Sequence, residues 1–363
     1  MKPVSRRKKV CFYVSDISEF GGIGRVTRII AEHLSCESDV YILTLNCANE
    51  VSLPFLKSPI RVQYSHRVRL LSVFVRCVRD VRHFLKQNKI DILVSCTEML
   101  SPVCWFAAVG TGVSVVCWFH SNANVFNEFR FQRFCRFFAA KTSSAIVTLT
   151  PQMLKVVLSK YNSKRVNCIP NPVDPVLLKP IVYKSTSKRI ISVGRLCYAK
   201  NFELLVEIAA VLLKKHPDWS WDIFGEGSHR NAIEQLIDNL GIRSQLHLCG
   251  AVEDIYSRYS DYAFQVMTSR YEGFPMTLLE GMACGLPLIS FDVNAGPRMI
   301  IENGVNGFLV SACNKEAMIK AVDELICNGA LREKFSSENA IRRFKFDIVE
   351  ITKKWLDMFN ALT

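Results

Sequence analysis

Two glutamates eight residues apart, Glu272 and Glu280, bracket the run Gly273-Phe274-Pro275-Met276-Thr277-Leu278-Leu279. A strand is expected to end near Thr268, a Gly/Pro loop follows, and a helix starts near Met276. Carboxylates accept hydrogen bonds from vicinal hydroxyls, so two of them suit a sugar and a ribose. The N–H groups of Phe274, Met276 and Thr277, around a Pro275 that has none, open a helix, which suits phosphate or sugar oxygens. Two acids on an ordinary helix surface would carry no such meaning; the Gly-Phe-Pro between them sets this pair apart.

Three further loops have chemistry-bearing residues at strand ends. Gly194-Arg195-Leu196 closes one strand, and Lys200 follows five residues after Arg195, just ahead of a helix from Phe202. Arginine offers a bidentate fork and lysine a point charge, a combination that suits a diphosphate. Two solvated surface cations would give the same letters. Phe224-Gly225-Glu226-Gly227 ends the next strand, where glycine admits a flat ring or a second backbone, or simply turns the chain. Gly21-Gly22-Ile23-Gly24 lies between the first strand and the first helix, placing backbone N–H groups where an anion can approach. Thr27 stands where the last glycine of a dinucleotide fingerprint would fall, and the Walker pattern is absent. An NAD(P) oxidoreductase is disfavoured on that ground. His120 follows the uncharged strand 113–119 at its carboxyl end, as a structural imidazole or as a site residue. No Asp-X-Asp occurs, so no metal-diphosphate clamp is expected, and no metal or other cofactor.

These loops need elements to position them. In the first half the strand-like runs 10–14, 40–45, 90–95, 113–119 and 145–150 alternate with helical patterns such as 26–34 and 71–85. In the second half, runs 189–193, 219–224, 245–248, 263–268 and 287–291 alternate with helical patterns over 202–214, 231–239 and 316–327. Alternation of this kind means parallel sheets covered on both faces. Ile169-Pro170-Asn171-Pro172-Val173-Asp174 reads as a linker. The expected architecture is α/β, two doubly wound Rossmann-like domains facing across a cleft. One spans 1–170 and regains a C-terminal helix, 346–363; the other spans 171–345. Such sheets bind ligands beyond the carboxyl ends of their strands.

The chain has 363 residues, 49% hydrophobic and 22% charged, which excludes a disordered or fibrous chain. Fourteen cysteines are scattered singly with no CxxC pair and read as reduced, mostly buried thiols of a cytosolic protein. The basic Arg6-Arg7-Lys8-Lys9 is followed by an apolar run too short for a signal peptide. Residues 99–119 carry no charge and are long enough to span a bilayer. Gly110-Thr111-Gly112 divides them, so a buried helix-strand pair is expected instead.

Taken together, the loops resemble the retaining glycosyltransferases of family 4, which have the GT-B fold. The resemblance rests on Gly21–Gly24, the linker 169–174, Gly194-Arg195-Leu196 with Lys200, and Phe224-Gly225-Glu226-Gly227. Most specific is the E-x7-E element from Glu272 to Glu280, continuing as Gly281-Met282-Ala283-Cys284-Gly285-Leu286-Pro287. The resemblance covers essentially the whole chain. It implies that Arg195 and Lys200 neutralise a donor diphosphate, and that Glu272 bonds the donor-sugar hydroxyls, helped by N–H groups near Phe274 and Pro275. It implies that Glu280 binds the ribose, Gly22 offers its amide to phosphate, and His120 contacts the donor sugar. Gly24, Gly194, Gly225, Glu226, Met276 and Thr277 complete the donor-binding set. The expected activity moves a hexose or N-acetylhexosamine from a nucleotide-diphosphate sugar, UDP foremost, to a lipid-linked or lipopolysaccharide acceptor. Gly296-Pro297-Arg298 adds a likeness to bacterial surface-polysaccharide transferases, of lipopolysaccharide, O-antigen or capsule. A non-catalytic nucleotide-sugar-binding or assembly protein of the same fold is the alternative.

Charge is uneven. Residues 1–170 hold 24 Lys and Arg against 10 Asp and Glu, whereas 171–363 hold 22 against 23. Arg67, Arg69, Arg76, Arg79, Arg82 and Lys86 fall partly at helical spacing. Over 126–138, Phe129, Phe131, Phe134, Phe137 and Phe138 interleave with Arg130, Arg133 and Arg136. A basic, aromatic helix suits an anionic membrane interface. The expectation is a cytoplasmic protein, peripheral at the inner face of the plasma membrane. No nucleic-acid partner is expected, because no helix-turn-helix, RRM or zinc signature is present.

Overall fold

The computed structural model describes residues 6–17, 21–46, 61–62, 70–120, 130–163, 165–293 and 296–362. Arg67, Arg69, Phe126 and Phe129 lie outside them. The chain forms two compact units: residues 1–172 with 348–363, and residues 173–347.

Unit 1 runs β1 (Lys9–Asp16), α1 (Gly22–Leu34), β2 (Asp39–Asn46), β3 (Arg61–Val62), α2 (Leu70–Asn88), β4 (Ile92–Ser95), α3 (Ser101–Ala108), β5 (Ser114–Phe119), α4 (Arg130–Thr142), β6 (Ala145–Thr148), α5 (Pro151–Tyr161) and β7 (Val166–Cys168). The seven strands are all parallel, in the order β3-β2-β1-β4-β5-β6-β7. Ile92-Leu93-Val94-Ser95 and Ala145-Ile146-Val147-Thr148 are buried at every position, as strands covered on both faces must be. α1 buries Val26, Ile29, Ile30 and Leu34, one stripe at helical period.

Unit 2 runs β8 (Arg189–Val193), α6 (Phe202–Lys215), β9 (Ser220–Phe224), α7 (Arg230–Leu240), β10 (Leu246–Gly250), β11 (Phe264–Met267), α8 (Met276–Ala283), β12 (Leu288–Asp292), α9 (Gly296–Ile300), β13 (Gly307–Ser311), α10 (Lys315–Cys327) and α11 (Gly329–Arg342). Its six parallel strands lie in the order β10-β9-β8-β11-β12-β13. The last helix, α12 (Ile348–Asn360), belongs to unit 1. There its fully buried Trp355 packs edge-on to Trp118 of β5 at 4.9 Å and against Phe12 of β1 at 6.3 Å.

In both sheets the order reverses once, at β1/β4 and at β8/β11. Loops that leave neighbouring strands in opposite directions open a crevice at such a point. The uncharged stretch is a buried pair, α3 and β5. Among the described residues, no helix is long and apolar enough to cross a membrane. The strand expected over 145–150 stops at Thr148. Thr150 instead caps α5, accepting a hydrogen bond from the Met153 amide at 3.1 Å, and Pro151 opens the helix.

Candidate functional site

At the switch point of unit 2 the loop after β8 (194–201) is fastened to the loop after β11 (268–275). The Arg270 amide donates to Ala199 O at 2.8 Å. The Thr268 hydroxyl donates to Lys200 O and Asn201 O at 3.2 and 3.1 Å. The Arg270 guanidinium lies 4.5 Å from the Tyr198 ring centre and donates to Tyr198 O. Backbone fixed in this way aims two side chains at each other: Lys200 Nζ donates to Glu272 Oε1 at 2.6 Å. Ser269 Oγ donates to the same oxygen at 2.7 Å. The ion pair is half-buried, so it is less screened than a surface pair and still reachable from solvent.

Beside it the chain is stripped of side chains. Gly225 has φ +142°, and a Cβ there would stand 1.9 Å from Gly194 O. A Cβ on Gly227 would stand 2.2 Å from Leu196 O. The two loops therefore lie main chain on main chain, joined by Gly194 N to Phe224 O and Leu196 N to Glu226 O, both 2.9 Å. A Cβ on Gly194 itself would touch the Lys200 stem at 3.4 Å. Glycine is needed here for close approach of backbone.

The structure sorts the expected residues. Lys200, Glu272, Gly194 and Gly225 come together, and Arg195 is exposed on the same loop as Lys200. Glu226 is exposed and bonded to Arg230 at 2.6 Å, one turn along. Phe274, Pro275 and Met276 are buried at the start of α8, and Thr277 is partly so. Glu280 is 2% exposed, its Oε2 accepting the Tyr259 hydroxyl at 3.0 Å. The cause is α8 itself, buried along most of its length, so a side chain on its fifth residue is carried inward.

In unit 1, Gly22 is the exposed first residue of α1, whereas Gly24 is buried on the inner side of that helix. His120 follows β5 with its ring centre 4.3 Å from that of Trp118. Its Nε2 is enclosed and has no hydrogen-bond partner among the described residues. Burial pulls its pKa down to about 4, against the opposite pull of the Glu98 carboxylate, so the imidazole is neutral at ordinary pH. The unfolded imidazole, near 6.5, takes up a proton that the folded one refuses. Stability attributable to His120 is thus whole above pH 6.5 and is lost as pH falls toward 4. The loss amounts to about 2 kcal/mol at pH 5. Thermal melts from pH 7 to 4.5 check this: the wild-type transition is expected to fall more steeply than that of His120→Gln.

Sequence reasoning missed Ser269, Tyr259 and the Glu98–Arg136 pair. Glu98 is 2% exposed, Arg136 fully buried, and their charged groups meet at 2.9 Å. Gln132 Nε2 donates to the same Glu98 oxygen at 3.3 Å. Arg136 is therefore not an outward cation of a basic helix, because an acid buried after β4 draws it inward. Arg82 is also committed, to Phe106 O and Val109 O at the end of α3. Among the described residues one His/Asp/Cys group lies close enough to share an ion: His216, Asp323 and Cys327. Asp323 there already accepts from Lys215 and pairs with His216, at 2.7 Å each.

Two parallel Rossmann-like sheets, one of seven strands and one of six, are the architecture of the GT-B glycosyltransferases. Two family models match the chain, "Glycosyltransferase Family 4" over residues 20–177 and "Glycosyl transferases group 1" over 177–342. The chain belongs to the family 4 glycosyltransferases. Relatives that align nearly end to end include the amylovoran biosynthesis glycosyltransferase AmsD of Erwinia amylovora, 26% identical over 97% of this chain and 99% of that one. Another is an alpha-1,4-N-acetyl-D-galactosaminyltransferase of Campylobacter jejuni named for a diNAcBac-PP-undecaprenol glycan. It is 24% identical over 96% of this chain and 98% of its own. Among solved structures, HepE of Anabaena in complex with UDP superposes with a TM-score of 0.79. It is 17% identical and covers 97% of this chain and 100% of its own, a likeness of fold.

Proposed function

We propose that the protein is a retaining, metal-independent glycosyltransferase. It moves a hexose or N-acetylhexosamine from a UDP-sugar to a lipid-linked saccharide, in bacterial surface polysaccharide synthesis, at the cytoplasmic face of the membrane. The observation that carries this reading is the Lys200–Glu272 pair at the β8/β11 switch point. A cation and an acceptor-only carboxylate, each partly open to solvent and held by the other, are what a sugar diphosphate separates. Its phosphates take the ammonium and its hydroxyls take the carboxylate. The UDP held by HepE and the undecaprenol-linked glycan in the Campylobacter enzyme's name support the choice of donor and acceptor.

In the reaction the bond from sugar C1 to the diphosphate oxygen breaks and one from C1 to the acceptor oxygen forms. Negative charge grows on the leaving diphosphate, where Arg195, Lys200 and the first N–H groups of α8, at Met276 and Thr277, stabilise it. Glu272 holds the sugar hydroxyls as the ring becomes cationic. Glu280, oriented by Tyr259, takes the ribose. In unit 1 the reading assigns the Gly22 amide to phosphate and the neutral His120 to the donor sugar. The acceptor hydroxyl attacks from the face the diphosphate leaves, and its proton passes to the departing phosphate oxygen.

Thermal-shift titration against nucleotide sugars tests the assignment. A ligand at a hundred times its Kd adds about 2.7 kcal/mol to the folded state. Glu272→Ala is expected to weaken the response to the intact donor more than that to bare UDP. An equal loss for both removes Glu272 from the sugar.

A further inference from the structure

Unit 1 displays aromatic side chains where a folded domain normally puts polar ones. On α4, Phe131, Phe134 and Phe137 are 55%, 54% and 52% exposed. At 100° per residue they fall on one face with Arg130, Arg133 and Lys141, all exposed, and no acid occurs anywhere on the helix. The patch continues beyond α4. Phe134 meets Phe138 at 6.0 Å, and Phe138 stacks on Phe106 of α3 at 6.0 Å and 21°. Phe106 and Val109, at the end of α3, are 44% and 45% exposed. A contiguous apolar surface of this kind marks a binding face. Cations interleaved with phenylalanines fit one partner chemistry: an anionic lipid headgroup layer over acyl chains.

The opposite face of α4 is tied down. Arg136 and Gln132 both bond Glu98, and the Ser101 hydroxyl donates to Cys135 O at 3.2 Å. Glu98 lies in the turn after β4, a strand of the unit-1 switch point. The helix thus presents aromatics and cations outward while its inner side grips the loop at that crevice.

We infer that the exposed face of α3 and α4 docks on an anionic bilayer, with Phe131, Phe134 and Phe137 inserted at headgroup depth and Arg130, Arg133 and Lys141 on lipid phosphates. The buried Glu98–Arg136 pair then holds the switch-point loop of unit 1 at a fixed height over the headgroups. The inference deepens the lipid-linked acceptor reading, on which its purpose rests, but its test does not depend on transfer.

The test is co-sedimentation of the full chain with vesicles of phosphatidylcholine alone or with a third phosphatidylglycerol. The wild-type protein is expected to bind the anionic vesicles at least tenfold more tightly, and less so as salt rises. F131S/F134S/F137S is expected to lose at least tenfold in that binding. R130Q/R133Q is expected to lose the preference for phosphatidylglycerol. Because these side chains are exposed, both variants should melt like the wild type and respond equally to UDP, which separates lost docking from lost folding. Wild-type indifference to both vesicles, or undiminished binding by the triple phenylalanine variant, overturns the inference. If transfer to a lipid acceptor fails while vesicle binding behaves as stated, the functional reading falls and the docking face stands.

Discussion

Lys200→Ala is expected to lower kcat/KM for transfer by two to three orders of magnitude, about 2.7–4 kcal/mol at the transition state, the range for removing one preorganised charge-stabilising group. The ammonium rests on Glu272 at 2.6 Å; in the proposed reaction it would turn to a diphosphate whose charge increases as the sugar bond breaks. An interaction that strengthens along the reaction acts on kcat, not only on KM. Single-turnover rates at saturating donor separate the two. Lys200→Arg keeps the charge on a broader head and should recover part of the rate. Stability should fall as well, since Glu272, 12% exposed, keeps only the Ser269 hydroxyl in place of its cation, so melting curves accompany the kinetics. A kcat/KM within twofold of wild type excludes Lys200 from the leaving-group site.

Why that pair was legible in the sequence is instructive. Lys200 and Glu272 lie 72 residues apart. Each follows a strand of the unit-2 switch point, and both strands read as short apolar runs ended by turn residues. Period and punctuation placed each at a strand end; only the family resemblance assigned both to one donor. Gly194 and Gly225 were legible for a related reason, since glycine at a strand end marks close approach, here of one loop's backbone to the other's. What failed was direction within helices. Nothing in the eight residues of α8 records that the helix is buried along most of its length, Glu280 included. Arg136 was grouped with Arg130 and Arg133 because they recur every three residues, which on a helix drifts by 60° per step. Two steps carry Arg136 round to the inner side. Glu98 stands just before the uncharged stretch 99–119, at the end of a buried strand. An acid at the end of a buried strand needs a cation, and that demand was the available signal. The short strands β3 and β7 escaped because two or three residues carry too little period to separate from loop.

Arg136→Met should destabilise unit 1 by about 3–5 kcal/mol, because it leaves the Glu98 carboxylate buried without its guanidinium. For a domain of this size that corresponds to a fall of about 6–20 °C in the unit-1 transition. Gln132 remains within 3.3 Å but supplies only a neutral donor. Glu98→Leu combined with Arg136→Met removes both charges, and it should return most of the lost stability, since paired burial of ions and apolar replacement come out nearly level. The double-mutant cycle measures the coupling. A coupling below about 0.5 kcal/mol would mean that the two charges do not sense one another, contrary to a 2.9 Å contact in a fully buried setting. The double variant also separates two roles of the pair. If the ions serve stability alone, the restored protein transfers sugar at the wild-type rate on vesicles and in solution. If they also fix α4 against the switch-point loop, it regains its melting temperature yet transfers sugar more slowly than the wild type.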